Sequence, residues 1–228
     1  MSQSEVPPAG EQWNRYRSCF FCYHPREGEI FNTEFHSVVF DDSPIIEGHV
    51  MIHTREHWGC AGELPPNQFE DLVRVKEVVK LLLRQLYGRV VFYEHGRVGH
   101  CSTWAGGPEC DHFHLHALPA DITIEPVLAS RFRRVDVPEY GRLPAAFESH
   151  GEYLYFEDAD GKVSVFPTAS EVESHALRTM IANAIGDPTR SNWDGMRNPN
   201  EVEACRRKVE QARELLGEYL RQARVVAR

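Results

Sequence analysis

Apolar residues follow two different periods along the first half of the chain. From Pro65 to Leu86 they recur every three or four positions and a glycine follows at position 88, which predicts one long amphipathic helix. Shorter stretches rich in β-branched and aromatic residues predict strands, namely "EFHSVVFDD", "GHVMIHT" and "RVVFYEHG". The first two flank a proline-containing loop, so we expect them to pair as a hairpin.

The second half of the chain also mixes strands with helices. The stretch "EYLYFEDADGKVSVF" predicts two strands around an Asp-Gly turn. The stretch "TASEVESHALRTMIANAIG" predicts a helix that begins at a capping box of Thr168 and Glu171 and ends at a glycine. Residues 200–224 predict a charged amphipathic helix, whereas residues 1–18 are polar, contain prolines and predict a loose terminus.

Charge and composition exclude several classes of partner. The 228 residues carry a formal net charge of -9, so we expect no basic surface for the backbone of a nucleic-acid polymer. No apolar run reaches the roughly 18–20 residues of a membrane helix, and the first residues lack a signal-peptide pattern. We therefore expect a cytoplasmic protein without a membrane partner. In that reducing compartment, its six cysteines are expected to be metal ligands or core residues.

Three histidines alternate within the stretch "CDHFHLHALPAD", residues 110–121. In a strand, His112, His114 and His116 would share one face, and the apolar residues between them would anchor the other face in a core. A neutral imidazole can attack phosphorus or bind a metal, and a charged one can hold phosphate oxygens. The row therefore predicts one wall of a pocket for phosphoryl chemistry or metal binding. The competing interpretation, hydrogen-bonded surface histidines, suits a lone histidine better than three in register.

The segment "HFHLHAL" resembles the signature of the histidine triad superfamily. Upstream, "GHVMIHTREH" (48–57) is similar to the family's Gly-His strand with a following Lys/Arg-x-His segment, and the acidic "FDDSP" precedes it. The resemblance implies an α+β fold: an antiparallel sheet with a long helix in a catalytic domain over 19–125. Residues 126–228 would then be an extension of a hairpin and helices packed on the same core. Family members commonly dimerise beside the site, so the resemblance also implies a homodimer.

The same resemblance implies an enzyme that acts on a small nucleotide. His114 would attack the α-phosphorus of a nucleoside phosphate, cleaving a phosphoanhydride or phosphoramidate bond through a nucleotidyl-histidine intermediate that water hydrolyses. His116 and His49 would contact the phosphate and stabilise its charge. Asp41 would accept hydrogen bonds from the ribose hydroxyls. An alternative for Asp41 is to cap the turn beside Pro44.

One position departs from the hydrolases of this family. "FYEHG" places Glu94 where they often have asparagine, and it is similar to a Phe-Glu-Asn segment of galactose-1-phosphate uridylyltransferases. Glu94 is therefore an expected substrate contact whose role is open. The alternative activity is transfer of a nucleoside monophosphate to a sugar phosphate or another acceptor. No residue aligns with a leaving-group acid, and Ser102 and His100 are nearby candidates only.

A Cys-x2-Cys pair, Cys19 and Cys22, lies at the start of the region of resemblance. Two such thiolates can reach one zinc, although alone they could equally be a buried, reduced pair. Zinc-bearing members of the superfamily complete a structural site with two histidines, and His24 and His53 are rival ligands here. The ligand set that the resemblance implies for zinc is Cys19, Cys22, His57 and His112.

Two other classes of function remain open from the sequence. A metal-dependent oxygenase of cupin type would use a His-x-His pair with a distant Glu and His, but it gives no role to the Gly-His and Cys-x2-Cys elements. A catalytically silent nucleotide-binding module would not need the middle histidine of the triad.

In the second half, the segment 190–199 is interpreted as an ordinary loop. The arginines interpreted as solvated charges are Arg131, Arg133, Arg134 and Arg178.

Overall fold

The computed structural model describes residues 19–23, 29–41, 43–98, 101–102, 109–110, 112–168 and 172–192, together with separate helical positions between 203 and 217. Of the helices within these ranges, none has the length and apolar character needed to cross a membrane. The strands are β1 (Glu29–Asn32), β2 (His36–Phe40), β3 (Val50–Thr54), β4 (Val91–Glu94), β5 (Cys101–Ser102), β6 (Glu109–Cys110), β7 (His114–Leu118), β8 (Tyr153–Glu157) and β9 (Val163–Pro167). The helices are α1 (Phe20–Tyr23), α2 (Pro66–Tyr87), α3 (Glu125–Arg131), α4 (Leu143–His150) and α5 (Ala176–Ile185).

Seven strands form one sheet in the order β1-β2-β3-β7-β4-β8-β9, and each neighbouring pair is antiparallel. This confirms the predicted α+β fold and both predicted hairpins, β2 with β3 and β8 with β9. The histidine strand β7 lies between β3 and β4. Since β8 pairs with β4, the hairpin of the second half continues the same sheet.

The two faces of the sheet are packed by different helices. Leu115 and Ala117 of β7 belong to a buried cluster with Leu72 and Val79 of α2. The other face contributes a second cluster, which includes residues of β4 and β8 and the buried side of α5, among them Leu177. Because successive residues of a strand point to opposite faces, His114 and His116 lie on the face away from α2.

The long helix matches its prediction closely. It spans Pro66–Tyr87 and ends at Gly88, whose N–H donates to the carbonyl oxygen of Arg84 at 2.8 Å. The φ angle of Gly88 is 87°, a left-handed conformation that glycine adopts without steric cost.

The predicted start of the helix near residue 168 is wrong. The N–H of Thr168 donates to the carbonyl of Glu152 at 3.0 Å, so Thr168 continues the β8–β9 pairing instead of capping a helix. Glu171 lies outside the described residues. The helix begins at Ala176, and its N-cap is His175, in a left-handed conformation with no side-chain cap. Helices α3 and α4 were not predicted.

Candidate functional site

The pairing of β7 fixes the surroundings of two of the three alternating histidines. His114 lies opposite His53 of β3, and His116 lies between Met51 of β3 and Tyr93 of β4. The ring of Tyr93 stacks on His116, with centroids 4.2 Å apart and planes inclined by 5°. The rings of His114 and His116 are 4.8 Å apart, edge to face. These two imidazoles therefore share one site.

The third histidine of the row has different surroundings. Strand β7 begins at His114, so His112 precedes the strand. The Nδ1 atom of His112 faces the sulfurs of Cys19 and Cys22, each at 3.4 Å. The prediction that all three rings line one common pocket is thus wrong for His112, because its ring belongs to the cysteine cluster.

The hydrogen bond of His114 decides which of its nitrogens is reactive. Its Nδ1 lies 2.7 Å from the carbonyl oxygen of His112, and a carbonyl can only accept, so Nδ1 carries the hydrogen. The Nε2 atom then holds a lone pair. Burial lowers the pKa of His114, although the bond to the carbonyl raises it. The middle histidine is therefore a neutral imidazole at neutral pH, with the lone pair of its ring on Nε2.

A relay of hydrogen bonds runs from the β2–β3 hairpin to His116. The N–H of Ile45 donates to Nδ1 of His49 at 3.2 Å, so the hydrogen of this buried ring lies on Nε2. His49 Nε2 is 2.9 Å from Nδ1 of His116 and donates to it. As a neutral ring, His116 then carries its own hydrogen on Nε2, which makes it a hydrogen-bond donor beside His114.

Asp41 lies behind His49 rather than in an open position. Its Oδ1 accepts from the N–H of Ser43 at 2.8 Å, which is the turn-capping alternative of the sequence. Its Oδ2 lies 3.3 Å from Nδ1 of His49 and 3.9 Å from Nη1 of Arg178. Both oxygens of the 5% exposed Asp41 therefore face protein groups, and the structure does not support the expected contact with a ribose.

Arg178 is a buried cation and not a solvated charge, which corrects the sequence interpretation. Its side chain is 4% exposed and donates to the carbonyl oxygens of Ser43 at 2.8 Å and Arg190 at 2.9 Å. Burial, together with the charges of Arg178 and His114, holds the pKa values of His49 and His116 well below the usual value. Both rings are therefore neutral and able to accept or donate as described above.

Two further histidines interact with residues of this site, and the sequence motifs give neither of them a role. His95 follows β4, and its Nε2 accepts from the N–H of Leu177 in α5 at 3.2 Å. His175 directly precedes α5, and its Nδ1 is 2.8 Å from the hydroxyl of Ser174. Burial lowers the pKa of both rings, to about 3 for His95 and about 4 for His175, and repulsion from His114 in its protonated form adds to the effect. No periodicity in the sequence signals them, since their position depends on how α5 packs.

Glu94 is not brought to the histidines. Tyr93 faces His116, so the next residue points to the opposite face of the sheet. There Glu94 accepts from the N–H of Ala61 and the hydroxyl of Tyr153, both at 2.9 Å. Burial raises its pKa to about 7. The geometry does not support the expected substrate contact.

Four potential metal ligands, one of them His112, form a cluster near the start of β7. Their ligand atoms lie within 4.8 Å of one another. The S···N distances of 3.4 Å are close to the about 3.6 Å expected for a tetrahedral zinc with ligand bonds of about 2.3 and 2.1 Å. Nε2 of His112 is 2.8 Å from the carbonyl oxygen of Thr54 and donates to it, which leaves Nδ1 to ligate. The cluster, which could hold a metal ion, consists of Cys19, Cys22, His57 and His112.

The protonation of the thiols fits a cation at this cluster. The hydrogen bond from Cys19 and burial raise the pKa of Cys22 far above its usual value, because two thiolates this close repel each other. A bound dication would reverse this effect and stabilise both thiolates. The rival ligand His53 uses its Nδ1 to donate to the carbonyl of Thr54 at 2.9 Å, and His24 lies outside the described residues.

A second group of possible ligands, Asp41, His49 and His116, is less suited to a cation. His49 and His116 already bond to each other, and the guanidinium of Arg178 lies beside Asp41. Neither cluster that the described residues form includes His114. The middle histidine is therefore not held as a metal ligand in either group.

Comparisons with known proteins add a partial structural likeness. No family model and no curated protein sequence matches the chain. A Hit-like protein from Bartonella henselae, described as involved in cell-cycle regulation, is 8% identical with a TM-score of 0.33, over 40% of this chain and 65% of that one. A hypothetical histidine triad nucleotide-binding protein from Sulfolobus tokodaii is 19% identical with a TM-score of 0.34, over 45% and 68%. Plasmodium falciparum diadenosine triphosphate hydrolase, in complex with cyclomarin A, is 14% identical with a TM-score of 0.35, over 56% and 80%.

The first two are named as a Hit-like protein and a histidine triad protein, and the sequence motif resembles that superfamily. The chain aligns with slightly less than two thirds of the first of them. Fold and site together define an α+β protein with paired histidines on one face of its sheet and an adjacent Cys2His2 cluster. The chain's own residues carry the functional conclusion.

Proposed function

We propose that this protein is a nucleotide hydrolase that cleaves a phosphoanhydride or phosphoramidate bond at a nucleoside α-phosphate. The observation that carries the proposal is the 2.7 Å hydrogen bond from Nδ1 of His114 to the carbonyl of His112. It fixes the tautomer in which Nε2 holds the lone pair that a nucleophile needs.

The reaction would proceed in two displacements. The Nε2 lone pair of His114 forms a bond to the α-phosphorus, while the bond from phosphorus to the leaving oxygen or nitrogen breaks and its electron pair departs with the leaving group. Water then attacks the nucleotidyl-histidine, which breaks the N–P bond and releases the nucleoside monophosphate. Dividing one hard displacement into two easier ones is the advantage of a covalent intermediate.

His116 would stabilise the charge on the phosphate. The bond from His49 Nε2 to His116 Nδ1 directs the remaining hydrogen of His116 to its Nε2, beside His114. A donor fixed in place before the reaction needs no reorganisation as charge moves onto the non-bridging oxygens. His49 is a positioning residue in this scheme, because its hydrogen bonds are made to protein groups.

The test is the substitution His114→Ala. Incubated with nucleoside phosphoramidates and dinucleoside polyphosphates labelled in the α-phosphate, the unsubstituted protein should release nucleoside monophosphate and yield an acid-labile label on histidine. His114→Ala should lose turnover by at least about 10⁴-fold. The exposed His150 at the end of α4 provides the control, His150→Ala, which should behave as the unsubstituted protein. Turnover retained by His114→Ala, with the fold intact by circular dichroism, would refute the proposal.

Transfer to a sugar phosphate or another acceptor is not supported equally. The residue in the motif that suggested transfer was Glu94, and this residue lies on the face of the sheet away from the histidines. Product analysis in the presence of acceptors separates the two activities, because transfer would yield a nucleoside diphosphate compound in place of free monophosphate.

We also propose that the Cys2His2 cluster holds one structural zinc. Two thiolates and two imidazoles in a closed tetrahedral set are the donors zinc prefers, with no position left for substrate. When bound, the ion would supply a fixed link between α1 and the start of β7. The expected homodimer and cytoplasmic location stay predictions.

A further inference from the structure

The donor proposed for the phosphate, Nε2 of His116, depends on the position of the hydrogen of His49. The leaving-group candidates of the sequence, His100 and the side chain of Ser102, lie outside what the structure describes. His116 lies within it, and its Nδ1 is 2.9 Å from Nε2 of His49. Between two neutral rings, only one of these two nitrogens carries the hydrogen. The tautomer of His49 therefore decides whether His116 presents a donor or a lone pair to the substrate.

Two groups with opposite demands meet at the other ring nitrogen of His49. The N–H of Ile45 donates to Nδ1 at 3.2 Å and requires a lone pair there. Oδ2 of Asp41 lies 3.3 Å from the same Nδ1 and, as a carboxylate oxygen, attracts a hydrogen to it. His49 is fully buried and Asp41 is 5% exposed, so water screens this contact little. The tautomer therefore depends on how much of the negative charge of Asp41 acts on His49.

The guanidinium of Arg178, in α5, faces Asp41. Its Nη1 lies 3.9 Å from Oδ2, the same oxygen that approaches His49. Its other two nitrogens donate to the carbonyl oxygens of Ser43 at 2.8 Å and Arg190 at 2.9 Å, which holds the buried group in one orientation. Resting on the function proposed above, we propose that Arg178 is a positioning residue: it offsets the charge of Asp41 and thereby keeps the hydrogen of His49 on Nε2.

The rings packed around His49 do not supply this positive charge. The ring centroid of His116 lies 5.0 Å from that of His49, and the ring of Tyr93 lies 6.4 Å away. Burial holds the pKa of His116 well below its usual value and also lowers that of His114, so both imidazoles are neutral. A guanidinium, in contrast, stays charged when it is buried. A residue of the second half of the chain thus sets the hydrogens of a site whose motif lies in the first half.

Loss of this cation moves two hydrogens within the relay. With Asp41 unopposed, the hydrogen of His49 lies on Nδ1, and Nε2 of His49 becomes an acceptor. His116 then donates from Nδ1 and presents a lone pair at Nε2, where a phosphate oxygen needs a donor. Each ring keeps one hydrogen, exchanged through water, so no net charge changes. The site loses its donor although both histidines remain.

The experiment compares Arg178→Gln with Arg178→Lys. Glutamine removes the charge but can still donate to a carbonyl oxygen, whereas lysine keeps the charge. Arg133→Gln, at an exposed arginine, is the matched control. Isotope-labelled histidine and long-range proton–nitrogen correlation spectra report which ring nitrogens carry a hydrogen. The signals of His49 and His116 are assigned by their disappearance in His49→Gln and His116→Gln.

We expect Nδ1 of His49 and Nδ1 of His116 to lack a hydrogen in the unsubstituted protein, and to carry one in Arg178→Gln. Arg178→Lys and the surface control should keep the tautomers of the unsubstituted protein. Adding Asp41→Asn to Arg178→Gln removes the opposing charge and should restore them. Unchanged tautomers in Arg178→Gln overturn the proposal. If that variant does not fold, the unsubstituted protein decides, because a hydrogen on Nδ1 of its His49 overturns the proposal as well.

Turnover provides a second measurement. On the 5′-phosphoramidates of adenosine, guanosine, uridine and cytidine, Arg178→Gln should lose about 10²-fold or more in kcat, with KM changed less than about 3-fold. Arg178→Lys should recover most of this loss. Equal losses in the two variants overturn the role of the charge. The tautomers are measured without substrate, so a protein that shows them but cleaves no probe refutes the proposed function and leaves Arg178 as the residue that sets the hydrogens.

Discussion

The ring of Phe21 stacks on the ring of His114, with centroids 4.9 Å apart and planes inclined by 30°. Phe21 also lies 4.8 Å from His53 and is flanked in sequence by Cys19 and Cys22. The residue that covers the proposed nucleophile is therefore carried by the segment that the metal cluster would fix. This geometry connects the proposed structural metal to the exposure of His114.

The first prediction concerns this connection. Cys22→Ser should lower the zinc content from close to one per chain to well below one, measured by elemental analysis. Unfolding free energy should fall by at least about 2 kcal/mol, a fraction of the roughly 10–16 kcal/mol that structural zinc supplies in small zinc-finger peptides. Without the zinc, Phe21 should no longer pack against His114. Carbethoxylation of His114, followed by mass spectrometry, should then be several-fold faster.

Two control variants separate the metal from its effect on Phe21. Phe21→Ala should retain zinc and show the same faster modification of His114. Cys60→Ala removes a buried cysteine outside the cluster and should retain both zinc and the slow modification. A Cys22→Ser variant that keeps its full zinc content would contradict the assignment of the ligands.

A second prediction concerns the pH dependence of stability through Glu94. Burial raises its folded-state pKa from 4.5 to about 7, so the folded protein holds this proton more tightly than the unfolded chain. The stability that it contributes is full below pH 4.5 and is lost as the pH rises through about 7, by a total of about 3 kcal/mol.

Glu94→Gln removes this titration and keeps an oxygen for Ala61 and Tyr153. We expect the free energy of unfolding of the variant, measured with urea, to rise relative to that of the unsubstituted protein between pH 5 and pH 8. The expected relative rise is about 2–3 kcal/mol. Because Glu94 lies on the face away from His114, nucleotide hydrolysis should be retained. If the unfolding free energies of the two proteins changed in parallel over this pH range, Glu94 would be ionised in both the folded and the unfolded state.

A third prediction concerns the ion pair between α2 and β8. Lys76 is 3% exposed and its Nζ lies 2.5 Å from Oε2 of Glu157, which also accepts from the hydroxyl of Tyr155 at 2.6 Å. Lys76→Met leaves a buried carboxylate with one partner fewer, so unfolding free energy should fall by about 3–5 kcal/mol.

Lys80 gives a matched comparison for that substitution. It pairs with the same Glu157 at 3.0 Å, but its side chain is 16% exposed and nearer to water. Lys80→Met should cost no more than about 1–2 kcal/mol, because water can replace part of the lost interaction. Equal losses for the two variants in urea unfolding would mean that burial does not decide the strength of this pair.

Much of the fold could be predicted from the sequence because side-chain periodicity is a local property. The period of α2 and its terminal Gly88, the alternation in β7 and the two hairpins are all visible over short windows. The start of α5 was mispredicted, since Thr168 had the residue type of a cap but its N–H is used by strand pairing. A capping signal competes with tertiary hydrogen bonds that the local sequence does not contain.

For the site, the sequence alone determined that His114 and His116 share a face, because alternation in a strand fixes parity. Only the tertiary structure decided which neighbours share it, since strand register brought Tyr93 to His116 and turned Glu94 away. The packing of α5 decided that Arg178 is buried beside Asp41. The contact between Arg178 and Asp41 joins residues more than a hundred positions apart, and its geometry arises only when distant segments pack together.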